Sequence, residues 1–270
     1  MISLKELLSD YQAKHFALPA FNIDSFEIYQ AVEIAVRETG LPCIVQLSTG
    51  EDNFIQAERL LMLVRKANKE GLPIYLNMDH GNNIERLFSL ARHGWDMVHF
   101  DGSKMDFQLN LATTKILIDQ LKSANLNTLI EVEFNPLTPD SQTSPQEAKE
   151  FIDATSADLL AVSIGNIHGV DQLAPEHINI SLLSEIKNTL PNTFFTLHGG
   201  SGISFDQVKL AINQGVVKIN INTDLRLKFL SSLKNQITIN HTEKIYEILK
   251  PVIDDVTQVV KEKLTLFVSP

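Results

Sequence analysis

Short apolar runs alternate with longer segments of helical periodicity along the whole chain. The runs Ala17–Phe21, Cys43–Leu47, Ile74–Met78, Met97–Phe100, Thr128–Val132, Leu159–Ile164, Phe194–Leu197 and Val216–Ile219 read as strands. Between the first two, Phe26–Thr39 sets Ile28, Val32, Ala35 and Val36 on one helical face. Ala57–Lys69, Ile84–His93, Leu109–Ser123, Pro145–Ala154, Ile180–Asn188 and Ser204–Asn213 repeat that period. Gly40, Gly71, Gly94, Asn125 and Gly215 punctuate the chain just ahead of strands. Such alternation predicts a parallel sheet, and eight units predict closure into a (β/α)8 TIM barrel. An open doubly wound sheet is the alternative, but no GxGxxG fingerprint opens the first unit. The start, MISLKELLSDYQAK, reads as an amphipathic surface helix rather than a signal peptide. A C-terminal helical extension, Leu225–Lys263, is expected to break near Pro251 and to pack outside the barrel or on another subunit.

The length of 270 residues fits one barrel domain spanning 1–270. The net charge of −10 excludes a broad nucleic-acid footprint, so any bound phosphate needs a local site. No apolar run is long enough to span a membrane. The one cysteine, Cys43, lies in the run LPCIVQL and reads as a buried structural thiol, in keeping with a reducing cytoplasm.

In such a barrel, chemistry sits where strands end. Polar residues collect there: Asn22, Ser48-Thr49-Gly50, Asp79-His80-Gly81, Asp101-Gly102-Ser103, Glu131 and Glu133, Gly165-Asn166-Ile167-His168-Gly169, His198-Gly199-Gly200-Ser201-Gly202 and Asn220-Ile221-Asn222-Thr223-Asp224. His80, His168 and His198 follow strands 3, 6 and 7, each directly before a glycine. Three imidazoles with an open fourth position make a catalytic zinc site. A lone strand-end histidine is more often a bystander, but three equivalent rim positions favour a shared metal. His15, His93, His99, His177 and His241 lack this context and read as structural or surface residues.

Asp79 can share the site with His80 only if the strand breaks there, which Gly81 permits. A carboxylate beside a metal can shuttle a proton; the plainer reading is a helix cap or a metal-supporting Asp. Gly199, Gly200, Ser201 and Gly202, just ahead of a helix, suit an anion. Asn220, Asn222 and Thr223 add polar neighbours where barrels commonly hold phosphate. The chemistry implied is metal-assisted carbon–carbon cleavage of a phosphorylated ketose, the metal polarising a carbonyl and stabilising the enediolate. Lys104 and Lys218 show no activating setting for a Schiff base.

The strings AFN (20–22), QLS (46–48), MDHG (78–81), FDGS (100–103), EVE (131–133), AVSIGNIHG (161–169), LHGGSG (197–202) and KININTDLR (218–226) resemble the class II fructose-bisphosphate and tagatose-bisphosphate aldolase family, in the family's order. The resemblance implies a zinc-dependent aldehyde-lyase of carbohydrate metabolism, such as glycolysis, yielding dihydroxyacetone phosphate and an aldehyde from a ketose 1,6-bisphosphate. It puts zinc on His80, His168 and His198, and the acid/base on Asp79. It puts substrate and phosphate on Asn22, Ser48, Gly169, Gly199, Ser201, Asn220, Asn222 and Thr223. Asp101 and Glu133 match positions linked to a second metal site. A homodimer or homotetramer is implied, with a monovalent cation (Na+ or K+) near the phosphate.

Two departures open alternatives. The family's long Gly-rich loop after Glu-x-Glu is here the short FNPLTPDSQTSPQEAKEF, with Asp140 the only acid between Glu133 and Glu147. Asp171 stands where a phosphate-contacting Lys is expected. These favour, as alternatives, another phosphorylated ketose, a deoxy-sugar acid, or a non-catalytic aldolase-like subunit. A barrel metallo-hydrolase would want His-x-His at strand 1, where Phe21-Asn22 stands.

Overall fold

The apolar runs pair in sequence order into a closed parallel barrel in the computed structural model, which describes residues 1–138, 141–167 and 178–269. The strands are β1 (Leu18–Asn22), β2 (Cys43–Leu47), β3 (Ile74–Gly81), β4 (Met97–Asp101), β5 (Leu129–Glu133), β6 (Leu159–Ala161), β7 (Phe194–Leu197) and β8 (Val216–Ile221). β1 pairs with β8 and closes the ring. The helices are α1 (Leu4–Lys14), α2 (Phe26–Thr39), α3 (Thr49–Ile55), α4 (Ala57–Lys69), α5 (Ile84–Arg92), α6 (Phe107–Ser123), α7 (Pro145–Thr155), α8 (Ile180–Thr189), α9 (Phe205–Asn213), α10 (Thr223–Ile239) and α11 (Ile245–Leu266). This is the expected TIM barrel with its C-terminal helical extension.

Two cores follow from strand alternation. Phe21, Val45, Leu76, Val98, Val132, Leu160, Phe195 and Ile219 face outward and pack under the helices. A second cluster fills the N-terminal end of the barrel. Leu18, Ile44, Tyr75, Met97, Leu129, Leu159, Phe194 and Val217, near the start of each strand, meet Leu4, Leu7, Leu8 and Tyr11 of α1. The N-terminal helix therefore plugs the barrel floor. A capping box between Ser3 and Glu6 fixes its start.

The structure corrects three boundaries. β6 stops at Ala161, three residues early, because Ser163 and Ile164 pair with the returning loop. Ser163 N donates to Thr143 Oγ1 at 2.8 Å and Ile164 bridges Gln142. One helix expected after β2 is two, since Ser48 caps α3 and Gln56 breaks the run with a φ of 68°. The C-terminal extension breaks at residues 240–244 rather than near Pro251, which sits inside α11. Packing outweighs the proline's lost hydrogen bond there. Val252, Val256, Val260 and Leu264 form one buried stripe, with Thr257 Oγ1 donating to Ala31 O of α2.

Cys43 is fully buried in β2, and burial pushes its thiol up. A thiol reagent should modify the native protein on the order of 100-fold more slowly than the denatured chain. Equal rates would show that β2 is not held in the wall.

Candidate functional site

The C-terminal rim is shaped at β3. Residues 77 and 78 pair with 97 and 98, but Gly81 pairs with Phe100, so the register shifts between Met78 and Gly81. His80 takes a φ of 111°, an uncommon conformation for a side-chain-bearing residue. This corrects the expectation that Gly81 supplies the break. The positive φ lies on His80. Gly81 packs directly on Leu87, whose Cδ2 would have to move for a Cβ there. The irregularity brings the neighbours Asp79 and His80 into one site.

The two described histidines of the expected triad converge. His80 Nε2 and His198 Nδ1 are 3.1 Å apart. The other nitrogen of each ring meets a carboxylate: His80 Nδ1 donates to Asp101 Oδ2 at 3.0 Å, and His198 Nε2 to Glu131 Oε1 at 2.7 Å. Carboxylates accept, so the nitrogen of each ring that faces one carries its hydrogen, and the neutral His198 turns the lone pair of Nδ1 towards His80 Nε2. His168 and Gly169 lie outside the described residues, as do His177, Asp140 and Asp171.

Glu131 is fully buried and anchors His198 from below. Its Oε2 accepts from Lys218 Nζ at 2.9 Å and from Thr196 Oγ1 at 2.8 Å. Burial opposes its ionisation, but the Lys218 charge, with His99 and His198, holds it well below the usual carboxylate range. Burial pushes His198 down to about 3, so its imidazole is neutral at physiological pH. Lys218 thus has a desolvated setting that sequence did not reveal. It neutralises Glu131 and does not line the cavity.

Asp79 is clamped by amides. Its Oδ2 accepts from Asn22 Nδ2 at 3.3 Å and Gln46 Nε2 at 3.2 Å, and its Oδ1 from Asn220 Nδ2 at 3.1 Å. Burial works against its charge, but His80 and the other cationic groups keep it well below the ordinary aspartate value. Glu133 goes the other way: burial, then the charge of Asp101, raises it to about 9. His80, Asp101 and Glu133 form one potential donor group, and Asp79, His80, His99 and His198 another.

From sequence alone His99 reads as structural or surface. It is fully buried in the barrel, with its ring 4.4 Å from that of His80. Neither ring nitrogen has a hydrogen-bond partner among the described residues. The missed signal was parity: His99 shares an inward face with Asp101, Glu131 with Glu133, and Lys218 with Asn220.

These side chains open into a cavity of about 560 Å3. Asn22, Ser48, Gly199, Ser201, Asn220, Asn222 and Thr223 line it together with Asp79, His80, His198, Asp101 and Glu133. Gly199 has a φ of 73°, and a Cβ there would lie 2.0 Å from Ile167 O, so only glycine fits. α10 begins at the cavity with no cap from the side chain of its N-cap residue Asn222, which leaves N–H groups of its first turn for an anion. Ser48 and Ser201 also serve locally: Ser48 caps α3, and Ser201 Oγ accepts from Asp224 N at 3.3 Å. Sequence reasoning passed over Arg226 on this rim, whose Nη2 donates to Asp24 Oδ1 at 2.9 Å and Glu51 Oε1 at 2.7 Å.

Gly199→Ala should deform the turn and lower the melting temperature, because backbone carbonyl blocks the new Cβ. Lys218→Met should cost roughly 3–5 kcal/mol in denaturant unfolding, by leaving Glu131 buried and unpaired. A change below about 1 kcal/mol would remove Lys218 from its assigned role.

The comparisons with known proteins agree with this geometry. The family model for class II fructose-bisphosphate aldolase matches residues 2–270. The fructose-bisphosphate aldolase of Ureaplasma parvum is 32% identical over 248 residues, covering 88% of this chain and 84% of that protein. The corresponding protein of Thermus caldophilus is 29% identical, covering 98% and 97%. The crystal structure of the YdjI aldolase from Escherichia coli K12 superposes with a TM-score of 0.85 at 27% identity, covering 98% of this chain and 96% of that one. From its rim to its whole-length relatives, this chain belongs to the class II fructose-bisphosphate aldolase family.

Proposed function

We propose that this protein is a zinc-dependent aldolase that reversibly cleaves a ketose 1,6-bisphosphate, of the fructose or tagatose type, to dihydroxyacetone phosphate and an aldehyde. The pairing of His80 and His198 carries the reading. Two nitrogens bonded to one tetrahedral zinc stand about 3.3 Å apart, and these are separated by 3.1 Å. Each ring is oriented by a carboxylate on its far nitrogen, the arrangement that fixes metal-binding histidines. The donor set fits zinc, with His168 as third ligand on the strength of the sequence.

The metal would supply a Lewis acid to polarise the substrate carbonyl. Asp79, positioned by three amides, takes the hydroxyl proton of the carbon next to the scissile bond. That oxygen becomes the aldehyde, and the bonding pair stays with the ketose fragment. The phosphate would sit on Gly199, Ser201, Asn220, Asn222 and Thr223 at the start of α10, with Ser48 and Asn22 completing the wall, Gly169 joining them on the strength of the sequence, and Na+ or K+ beside it. Asp101 and Glu133 would offer a second metal position with His80.

A different phosphorylated ketose is the second reading. Pro136 and Leu137 of the short loop after β5 put apolar surface on the cavity wall beside Glu133. We further propose a homo-oligomer in the cytoplasm, with a role in sugar metabolism. Exposed Leu227, Leu230 and Ile237 form an apolar row on α10 that supports association. Among the described residues, no helix is long and apolar enough to cross a membrane.

Purified protein should hold one zinc per chain and cleave fructose or tagatose bisphosphate until a chelator is added. Absence of stoichiometric metal would sink the reading. His198→Ala and His168→Ala should lose metal and activity together. Asp79→Ala should keep metal while kcat falls roughly 10²–10⁴-fold; retained turnover would remove the role of Asp79.

A further inference from the structure

We propose that Glu51 is a positioning residue that holds the base Asp79 and the phosphate cradle in one fixed arrangement, acting through Asn22 on one side and through Asn222 and Arg226 on the other. The inference rests on the aldolase reading and adds what keeps two of its working parts in register.

In the closed ring, β1 lies between β2 and β8, so the polar ends of these three strands are neighbours. α3 follows β2, and α10 follows β8. Glu51 sits in the first turn of α3 and is buried, yet it does not line the cavity. The spacing Ser48-x-x-Glu51 forms a capping box, in which Glu51 Oε2 accepts from Ser48 N at 2.6 Å. A cap needs nothing more, but this carboxylate does more. Its Oε2 also accepts from Asn22 Nδ2 at 2.9 Å. Its Oε1 accepts from Arg226 Nη2 at 2.7 Å and from Asn222 Nδ2 at 3.3 Å. One buried carboxylate thus gathers donors from the ends of β1 and β2 and from the start of α10.

An ionised carboxylate only accepts, so each amide facing it must present its NH2. This decides the direction of Asn22. Its Nδ2 points at two carboxylates, Glu51 at 2.9 Å and Asp79 at 3.3 Å, while its Oδ1 accepts from Gln46 Nε2 at 2.8 Å. Turned the other way, Asn22 would set oxygen against both acids and NH2 against Gln46. Glu51 therefore aims one of the amides that clamp Asp79 without touching Asp79 itself. Its other oxygen holds Asn222 and Arg226 at the start of α10, where the proposed phosphate sits.

The charged groups around Glu51 are Asp24 after β1, Arg226 on α10 and, beyond Asn22, Asp79 on β3. Burial, and then the contact with Asp24, raise Glu51 to about 7. A proton on Glu51 puts a donor where donors already point, so one side of the arrangement lets go. The linkage is complete above this value and loosens below it.

The test follows metal-loaded protein carrying isotope-labelled asparagine by NMR, with steady-state kinetics on whichever bisphosphate the wild type cleaves. In the wild type, the side-chain amide signals of Asn22 and Asn222 should titrate together with a midpoint near 7, and kcat/KM should decline below it. Glu51→Gln keeps the cap, so its melting temperature should hold. It should abolish the shared titration and the decline, with a lower kcat and a higher KM amounting to about 10-fold in kcat/KM. Asp52→Ala loosens α3 by releasing Arg86 outside the cavity. It should lower the melting temperature and leave the amide titration and the kinetics unchanged. Amide signals that ignore Glu51→Gln, wild-type kcat and KM in that variant, or the same defect in Asp52→Ala would each overturn the proposal. The NMR readout needs no turnover. A shared titration in a protein that cleaves neither sugar would uphold the linkage while sinking the aldolase reading.

Discussion

A single buried carboxylate organises the centre of this barrel. Glu131 lies fully inside the sheet and is ionised only because Lys218, Thr196 and His198 surround it. Placing a charge there without partners is prohibitive. The partners come from β7 and β8, so the charge is satisfied only once the far strands have closed onto β5. The same contact fixes the tautomer of His198 and turns its Nδ1 towards His80. Closure of the fold and orientation of the site are one event.

Above this pair lie three more carboxyl groups, Asp79, Asp101 and Glu133. Asp79 and Asp101 are held as carboxylates, while Glu133 is raised to about 9. Neighbouring acids pushed in opposite directions are a feature of catalytic sites. The uncommon backbone of His80 is sustained by the register shift of β3 on β4, by the packing of Gly81 on Leu87, and by the His80–Asp101 bond. The floor contributes by remaining inert. α1 seals the N-terminal end with leucines, so polar groups can collect at the rim without water entering from beneath.

Most of the architecture was legible in the sequence. Apolar runs such as Cys43–Leu47 and amphipathic segments such as Phe26–Thr39 carry their periods locally, and the order of elements dictates a parallel closed sheet. Rim motifs were equally readable because glycines beside polar residues mark strand ends: Asp79, His80, His198 and the 199–202 turn do share one cavity. His168 and Gly169 stand on sequence alone. Boundaries were harder, since Pro251 and the end of β6 are decided by remote partners, Ala31 and Thr143.

Fold class and chemical inventory are already written in the order of residues, since strand period, helix period and motif order are properties of neighbours. How that inventory is used depends on the closed three-dimensional arrangement. His99 and Lys218 look ordinary in a list of residues and become interior groups because strand parity points them inward across a closed ring. Facing ring nitrogens and carboxylates pushed in opposite directions join residues far apart in the chain. Their distances are set by closure, register and burial, which no local stretch encodes.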